Sequence, residues 1–258
     1  MIKEQSSDNN SKSNELDIGN QFIQNPGNWE FNEGIVDDFD DHIYRSIPRY
    51  KDCHNLGVIV SDFFLNEGSK IYDLGSTSGA FIEKLCLYHK GKKNLNVNCV
   101  EIMSNFCKFS EARFKKLELN KFHSIAVIND DIRNIAFEEK SIDFITSFFT
   151  LQFIKPSLRF EILSTIYRSL NWGGGFIFFE KVRGADARFQ DILNYLLNME
   201  KLEREFTHHE ILAKSLALVG KMEPFSDFGN REILHQAGFR DIEVIFKHIN
   251  FQGYLCIK

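Results

Sequence analysis

Lys70-Ile71-Tyr72-Asp73-Leu74-Gly75-Ser76-Thr77-Ser78-Gly79-Ala80 joins a short apolar run to a glycine-containing turn and then to a segment with helical spacing. The run predicts a strand over 70–73, and the apolar positions after the turn predict a helix over 80–88. Gly75 allows the chain to reverse sharply, and Gly79 allows the helix to approach the sheet closely. A strand-to-helix turn of this kind sits at the edge where doubly wound α/β proteins bind their ligands. Thr77 stands where a GxGxG turn has its middle glycine.

Outward from this turn the alternation continues. Strands are expected over 95–101, 124–129, 142–149 and 174–179, with helices over 104–118 and 157–170, the latter closed by Asn171 and Gly173. Residues 185–219 read as helical with a break near Phe206, and 229–237 as a helix ended by Gly238. Two strands, 241–247 and 251–257, read as a closing hairpin. Upstream, helices are expected over 35–44 and 51–65, interrupted by Pro48. Strands alternating with helices imply a parallel sheet covered on both faces. The elements over 31–65 and 185–225 are left over as lids above the strand tips.

Composition narrows the function classes. The 258 residues suit one α/β domain with decorations. The net charge of −5 argues against a protein that grips nucleic acid through phosphates. The basic cluster Arg113, Lys115, Lys116 and Lys121 reads as the solvated end of a helix. The run Asp37, Asp38, Asp40, Asp41 reads as a solvated face, and no metal site is evident. Five cysteines at irregular spacing, with no CxxC pair, speak against a disulfide framework and a zinc site, and suit a cytoplasmic setting. No stretch is long and apolar enough for a membrane span. Residues 1–25 are rich in Ser, Asn, Asp and Lys and read as a disordered leader ahead of a domain over 26–258.

Two acids sharpen the site. Glu101 ends the second expected strand within reach of the first turn, where a carboxylate accepts hydrogen bonds from ribose hydroxyls. Asp131-Ile132 follows the third strand, and at this spacing the pair resembles that of methyltransferases, which would imply that the acid meets an adenine amino group and the next apolar residue packs on the ring.

Gly27-Asn28-Trp29-Glu30-Phe31, Arg45-Ser46-Ile47-Pro48-Arg49-Tyr50, Tyr72-Asp73-Leu74-Gly75, Asp131-Ile132-Arg133, Phe149-Thr150-Leu151-Gln152-Phe153, Gly173-Gly174, Glu180-Lys181 and Gln236-Ala237-Gly238-Phe239 complete the pattern. Together they resemble the carboxy-S-adenosylmethionine synthases, from about residue 26 to the end. The resemblance implies a Rossmann-like class I methyltransferase fold: a mostly parallel seven-stranded sheet with an antiparallel C-terminal hairpin and helical lids. It implies S-adenosylmethionine as cofactor, or S-adenosylhomocysteine as product, a small-molecule substrate, a homodimer and no direct contact with nucleic acid or membrane. The family converts S-adenosylmethionine and prephenate into carboxy-S-adenosylmethionine and phenylpyruvate. By resemblance, Tyr50, Gly75, Ser76, Thr77, Glu101, Ile102, Asp131 and Ile132 fall on cofactor-contacting positions. Asp73, Gly79 and Phe148 belong to the same expected site, and the family also has a non-glycine residue where Thr77 stands.

Three departures bear on the reaction. The family's arginine that binds the carboxylate on the modified sulfonium aligns with Ser215. A hydroxyl does not replace a guanidinium there, and the adjacent Lys214 is expected to point about 100° away on a helix. The family's asparagine after the fourth strand is Phe148. Arg49 replaces a glycine beside Tyr50, and Arg183 follows the fifth strand, so a relocated anion site is open to either. Tyr50, Arg49 and Arg183 are therefore the candidate catalytic residues. The leading expectation is methyl transfer to a small anionic or aromatic acceptor. Synthesis of carboxy-S-adenosylmethionine is the alternative, and a non-catalytic cofactor-binding protein is a third.

Overall fold

The computed structural model describes Val36 and residues 39–258, so the expected leader, Trp29, Phe31, Ile35, Asp37 and Asp38 lie outside the described residues. Strands β1 (Lys70–Leu74), β2 (Asn96–Glu101), β3 (Ser124–Asn129), β4 (Ile142–Phe148), β5 (Leu170–Lys181), β6 (Asp241–His248) and β7 (Phe251–Ile257) form one sheet in the order β3-β2-β1-β4-β5-β7-β6. β1 to β5 pair in parallel, and β7 runs antiparallel to both β5 and β6. This is the Rossmann-like methyltransferase sheet with its antiparallel C-terminal hairpin. The order reverses between β1 and β4, which opens a crevice at their carboxyl ends.

Both faces of the central strands are dry, while the edge strands β3 and β6 are partly exposed. Along β5, Ile177 and Phe179 pack into one core cluster and Phe176 and Phe178 into the other. This period-two alternation fills two layers from one strand. β4 is buried from Phe144 to Phe148, as its nearly unbroken apolar run requires of a central parallel strand. Helices α3 (Ala80–Tyr88), α4 (Ser104–Lys116) and α5 (Pro156–Ser169) are the crossovers. Helices α1 (Phe39–Ser46) and α2 (Tyr50–Ser61) precede the sheet, and α6 (Ala187–Glu203), α7 (His208–Ala217) and α8 (Asp227–Ala237) lie between β5 and β6. The break expected near Phe206 is a capping box: Thr207 and Glu210 satisfy each other's backbone N–H groups and start α7.

Asn171 and Gly173 do not close a helix, as their sequence suggested. Both belong to β5, where the register against β4 shifts between Ile142 and Phe144. Gly173 takes a φ of 76°, and a Cβ on Gly174 would lie 3.0 Å from the Asn171 carbonyl oxygen. The glycines therefore serve a bulge rather than a helix stop.

The charge runs are also less solvated than expected. Asp40 of α1 accepts from the Ser78 hydroxyl and from Arg113 Nη2, and Arg113 also reaches Glu83 at 3.4 Å. One aspartate of the acidic run and one arginine of the basic cluster thus clasp α1 to the β1–α3 turn and to α4. Lys115, Lys116 and Lys121 are exposed.

Candidate functional site

A cavity of about 600 Å³ opens at the carboxyl ends of β1, β2, β4 and β5, beneath α1, α6 and α7. Its first end is made largely by backbone. The β1–α3 turn is held by Gly75 at φ 79°, where a Cβ would strike Thr150 Oγ1 at 2.3 Å. Gly79, at φ 75°, lets α3 pass within contact of Phe114 and Ser110. Thr77 adopts φ 45°. A threonine there carries the left-handed strain that a glycine would not. The Thr77 N–H donates to Glu101 Oε2 at 3.0 Å, and the Met103 N–H donates to Oε1 at 2.9 Å. Burial raises the Glu101 carboxyl, while these two backbone donors lower it. Each oxygen keeps a further lone pair for a ligand hydroxyl.

Gly75, Thr77, Glu101, Ile102, Asp131, Ile132, Phe148 and Tyr50 all line this cavity. Asp73, Ser76 and Gly79, of the same strand and turn, do not line it. Asp73 is buried, accepts from the Thr146 hydroxyl at 2.7 Å, and is pushed up to about 7 by burial. Asp131 caps the turn Ile132–Asn134 and is held low by the Arg133 guanidinium, which reaches both of its oxygens. A ligand amino group would share that carboxylate with Arg133. Tyr50 packs against Phe149 and His54, and burial followed by Asp73 raises its phenol well above the usual value. At neutral pH it is a hydrogen-bond donor, not a base.

The two candidate arginines lie elsewhere. Arg49 turns outward, its side chain 61% exposed, and pairs with Asp52 at 3.1 Å. Its φ is 60°, a left-handed value that explains why a glycine suits this position. Arg183 is exposed, bridges to Ser226 by backbone, and lines a second pocket of about 410 Å³ with Gly184 and Gln190, which shares Lys181 with the main cavity.

The second end of the cavity holds residues that sequence reasoning missed. Lys181 ends β5, Lys201 lies on α6 and Lys214 on α7, and all three line the cavity. Ser215, in contrast, is exposed on the outer side of α7. Lys214 was expected to point away; instead its Nζ donates to Ser46 Oγ at 2.6 Å and lies 3.3 Å from His42 Nε2, both on α1. The reason is that α7 docks through Ala213 and Ala217, which carries Lys214 on the inward side. Burial, then Lys201 and Lys181, push Lys214 down to about 7. Burial, then Lys181, push Lys201 down to about 8, and burial lowers Lys181. Phe149, Phe251, Leu197 and Leu218 supply apolar wall beside them. One signal was present: Lys201 follows the buried Leu197 by four residues, which sets both on one helix face.

Among the described residues no group of three or more His, Cys, Asp or Glu side chains gathers as for a metal ion, and no helix is long and apolar enough to cross a membrane. All five cysteines are free and buried.

A family model described as a methyltransferase domain matches residues 71–174. The carboxy-S-adenosyl-L-methionine synthase of Staphylococcus epidermidis is 32% identical over 238 residues, covering 91% of this chain and 99% of that protein. That of an Escherichia coli strain is 31% identical over 234 residues, covering 90% and 92%. Among solved structures, a SAM-dependent methyltransferase from Aquifex aeolicus superposes with a TM-score of 0.57 at 15% identity, covering 88% of this chain and 99% of that one.

Proposed function

Because this chain belongs to the carboxy-S-adenosyl-L-methionine synthase family, within the methyltransferase superfamily, we propose that it carries out the family's reaction. It is an S-adenosylmethionine-dependent enzyme; the finer reading is that it makes carboxy-S-adenosylmethionine from S-adenosylmethionine and prephenate. The observation that carries this reading is the continuity of the cavity. The Thr77–Glu101 end suits the ribose, the stretch beside Asp131 and Ile132 suits the adenine, and the same space runs on to the lysine-bearing end, leaving room for a second reactant.

The chemistry asks the protein to hold two reactants and exclude water. A sulfonium acidifies its methyl group. The methyl loses a proton, the methyl carbon bonds to the carboxyl carbon released from prephenate, and the proton combines with the hydroxide that prephenate loses on aromatising. Phenylpyruvate and water are the co-products. Tyr50 serves as a buried donor beside this step rather than as its base.

A second reading, methyl transfer to a small anionic or aromatic acceptor, is favoured by Ser215 standing exposed where the family has its arginine. The test is mass spectrometry after incubation with S-adenosylmethionine and prephenate. Carboxylated cofactor with phenylpyruvate supports the first reading. S-adenosylhomocysteine formation, with a methylated acceptor drawn from cell extract, supports the second. Tight cofactor binding without turnover supports a non-catalytic role.

We further infer a cytoplasmic homodimer, with α6 and α7 at the interface. Phe189, Ile192, Tyr195 and Met199 leave an apolar stripe exposed on α6, and Leu212, Leu216 and Val219 leave another on α7. Stripes of this extent are uncommon on monomers. Light scattering that gives the monomer mass at micromolar concentration counts against the dimer.

A further inference from the structure

We propose that Glu180 is a positioning residue: it donates a hydrogen bond from its carboxyl to Gln252 across β5 and β7, and so steadies the Gln152 strap that fixes Phe149 and Lys181 in the cavity wall. The proposal rests on the reading of the cavity as a reaction site and concerns residues that the reactants do not all touch.

Gln152 is buried and lines the cavity. Its side chain ties two segments together: Nε2 donates to the Phe149 carbonyl at 3.2 Å, and Oε1 accepts from the Lys181 N–H at 3.0 Å. The Phe149 N–H donates to the Phe179 carbonyl at 2.8 Å. Phe149 holds φ 59°, a left-handed value that a bulky residue keeps only where its surroundings impose it. Its ring meets Tyr50 at 5.6 Å and Phe251 at 5.8 Å, and all three line the cavity. One carboxamide therefore sets an aromatic wall and the end of β5.

Glu180 does not line the cavity. It shares a face of β5 with Phe176 and Phe178, opposite to the face of Lys181. In the β5–β7 ladder Phe178 opposes Tyr254, and their rings stack at 4.7 Å. Glu180 opposes Gln252 in the same ladder, and opposed residues on one face have Cβ atoms roughly 5 Å apart. Both side chains are buried, and each leaves its Oε1 without a hydrogen-bond partner. The Gln252 amide is fixed in orientation, because Nε2 donates to Asp227 Oδ1 at 2.6 Å; the Tyr254 hydroxyl donates to the same oxygen at 3.0 Å. Turning the amide over would set its oxygen against a carboxylate. The two facing acceptors are satisfied when Glu180 keeps its proton and donates it.

The surrounding charges agree. Arg159 of α5 gives its guanidinium to the carbonyls of Ile154 and Gln152, at 2.8 and 3.2 Å, and lies over the Phe225 ring. Glu223 acts on Arg159, and Arg231 of α8 pairs with Asp227 at 3.3 Å. Burial pushes Glu180 up to about 8, opposed by Arg159 and by the backbone of Gln152 and Leu151. The same carboxyl thus meets the backbone that carries the strap.

The experiment compares urea unfolding, amide hydrogen exchange and turnover of the full chain as wild type, Glu180→Gln, Glu180→Ala and Gln152→Ala. Glutamine offers Gln252 an N–H at every pH. Glu180 sits at about 8 in the fold against 4.5 when exposed, so between these values only the folded state holds the proton. The folding constant of wild type should therefore fall about tenfold per pH unit relative to Glu180→Gln from about pH 5.5 to 7.5, and keep a constant ratio above about pH 9. Protection of the Phe149 and Lys181 amides should fall about tenfold in both alanine variants and be retained in Glu180→Gln. Turnover should fall about tenfold in kcat in both alanine variants, with S-adenosylhomocysteine affinity within about threefold, and Glu180→Gln should recover most of the loss at pH 7. A merely structural carboxylate would move stability without this pH dependence.

A wild type whose stability runs parallel to that of Glu180→Gln means an ionised Glu180 or a bridging water, and overturns the proposal. Amides and kcat unmoved in Gln152→Ala overturn it as well. Should Glu180→Ala fail to fold, Glu180→Gln and Gln152→Ala carry the test. Unfolding and exchange need no substrate, so the two proposals fail separately. Both shifts without any carboxylated cofactor remove the reaction and keep the positioning. Carboxylated cofactor formed at undiminished kcat by Gln152→Ala removes the positioning and keeps the reaction.

Discussion

The two ends of the cavity are built in different ways. At the Thr77–Glu101 end, backbone does most of the shaping: two left-handed glycines, a strained threonine and two N–H groups bonded to one carboxylate. At the lysine end, three long side chains arrive from β5, α6 and α7, which are joined by loops and share no motif. Backbone geometry ties residue type to position, so the first end is fixed by a few spacings. Side chains that meet by helix docking obey no such spacing, and the second end can drift in sequence while keeping its charge.

The largest expected effect falls on the lysine end. Removing one partner of a desolvated charge pair costs about 2–5 kcal/mol. Lys201→Met should therefore lower kcat/KM for the anionic reactant by about 30-fold or more, measured at saturating S-adenosylmethionine. An unchanged value would make the two ends equivalent bystanders to that reactant.

Glu101→Ala comes next and strikes the other end. Loss of a charged acceptor should weaken S-adenosylmethionine binding by about 1–3 kcal/mol. Calorimetry showing equal affinity would take Glu101 out of the site.

A stability measurement sharpens the contrast. Lys201 titrates near 8 in the fold, against 10.5 in the unfolded chain. Between these values the unfolded state holds the extra proton, so the penalty for burying this charge is full below about 8 and fades as pH rises toward 10.5. Ligand-free Lys201→Met should then be about 1–3 kcal/mol more stable than wild type at pH 7 and close to it near pH 10. Urea unfolding at both pH values reads this directly. A variant less stable than wild type at pH 7 would mean that Lys201 serves the fold rather than a ligand.

The smallest effect is local. Arg49 holds φ 60° and an exposed pair with Asp52. Arg49→Gly should relieve left-handed strain and raise stability by about 1 kcal/mol or less, with turnover unchanged, because the exposed ion pair contributes little. Lost turnover would return Arg49 to the site.

The sheet was legible because each strand carried its own pattern: the apolar run of β4, the turn after β1 and the closing hairpin. The ends of β5 were not, since Gly173 and Gly174 signal a helix stop and a bulge alike. Glu101 and Asp131 were legible from their distance to the glycine turn. Lys201 and Lys214 were not, because an inward lysine on an amphipathic helix reads as a solvated one until the docking face is known. The contrast between Ser215 and Lys214 shows the cost: a loss of cation is read from the sequence at a position that lies outward, while its neighbour lies in the cavity wall.

A cavity that holds two reactants at chemically distinct ends binds prephenate and S-adenosylhomocysteine together. Titrating prephenate into the ligand-free protein and into protein saturated with S-adenosylhomocysteine tests this most directly. One prephenate per chain is expected in both cases, with affinity equal or higher when S-adenosylhomocysteine is bound. An apparent dissociation constant that climbs in proportion to S-adenosylhomocysteine concentration would mean that both compete for a single site, and would contradict it.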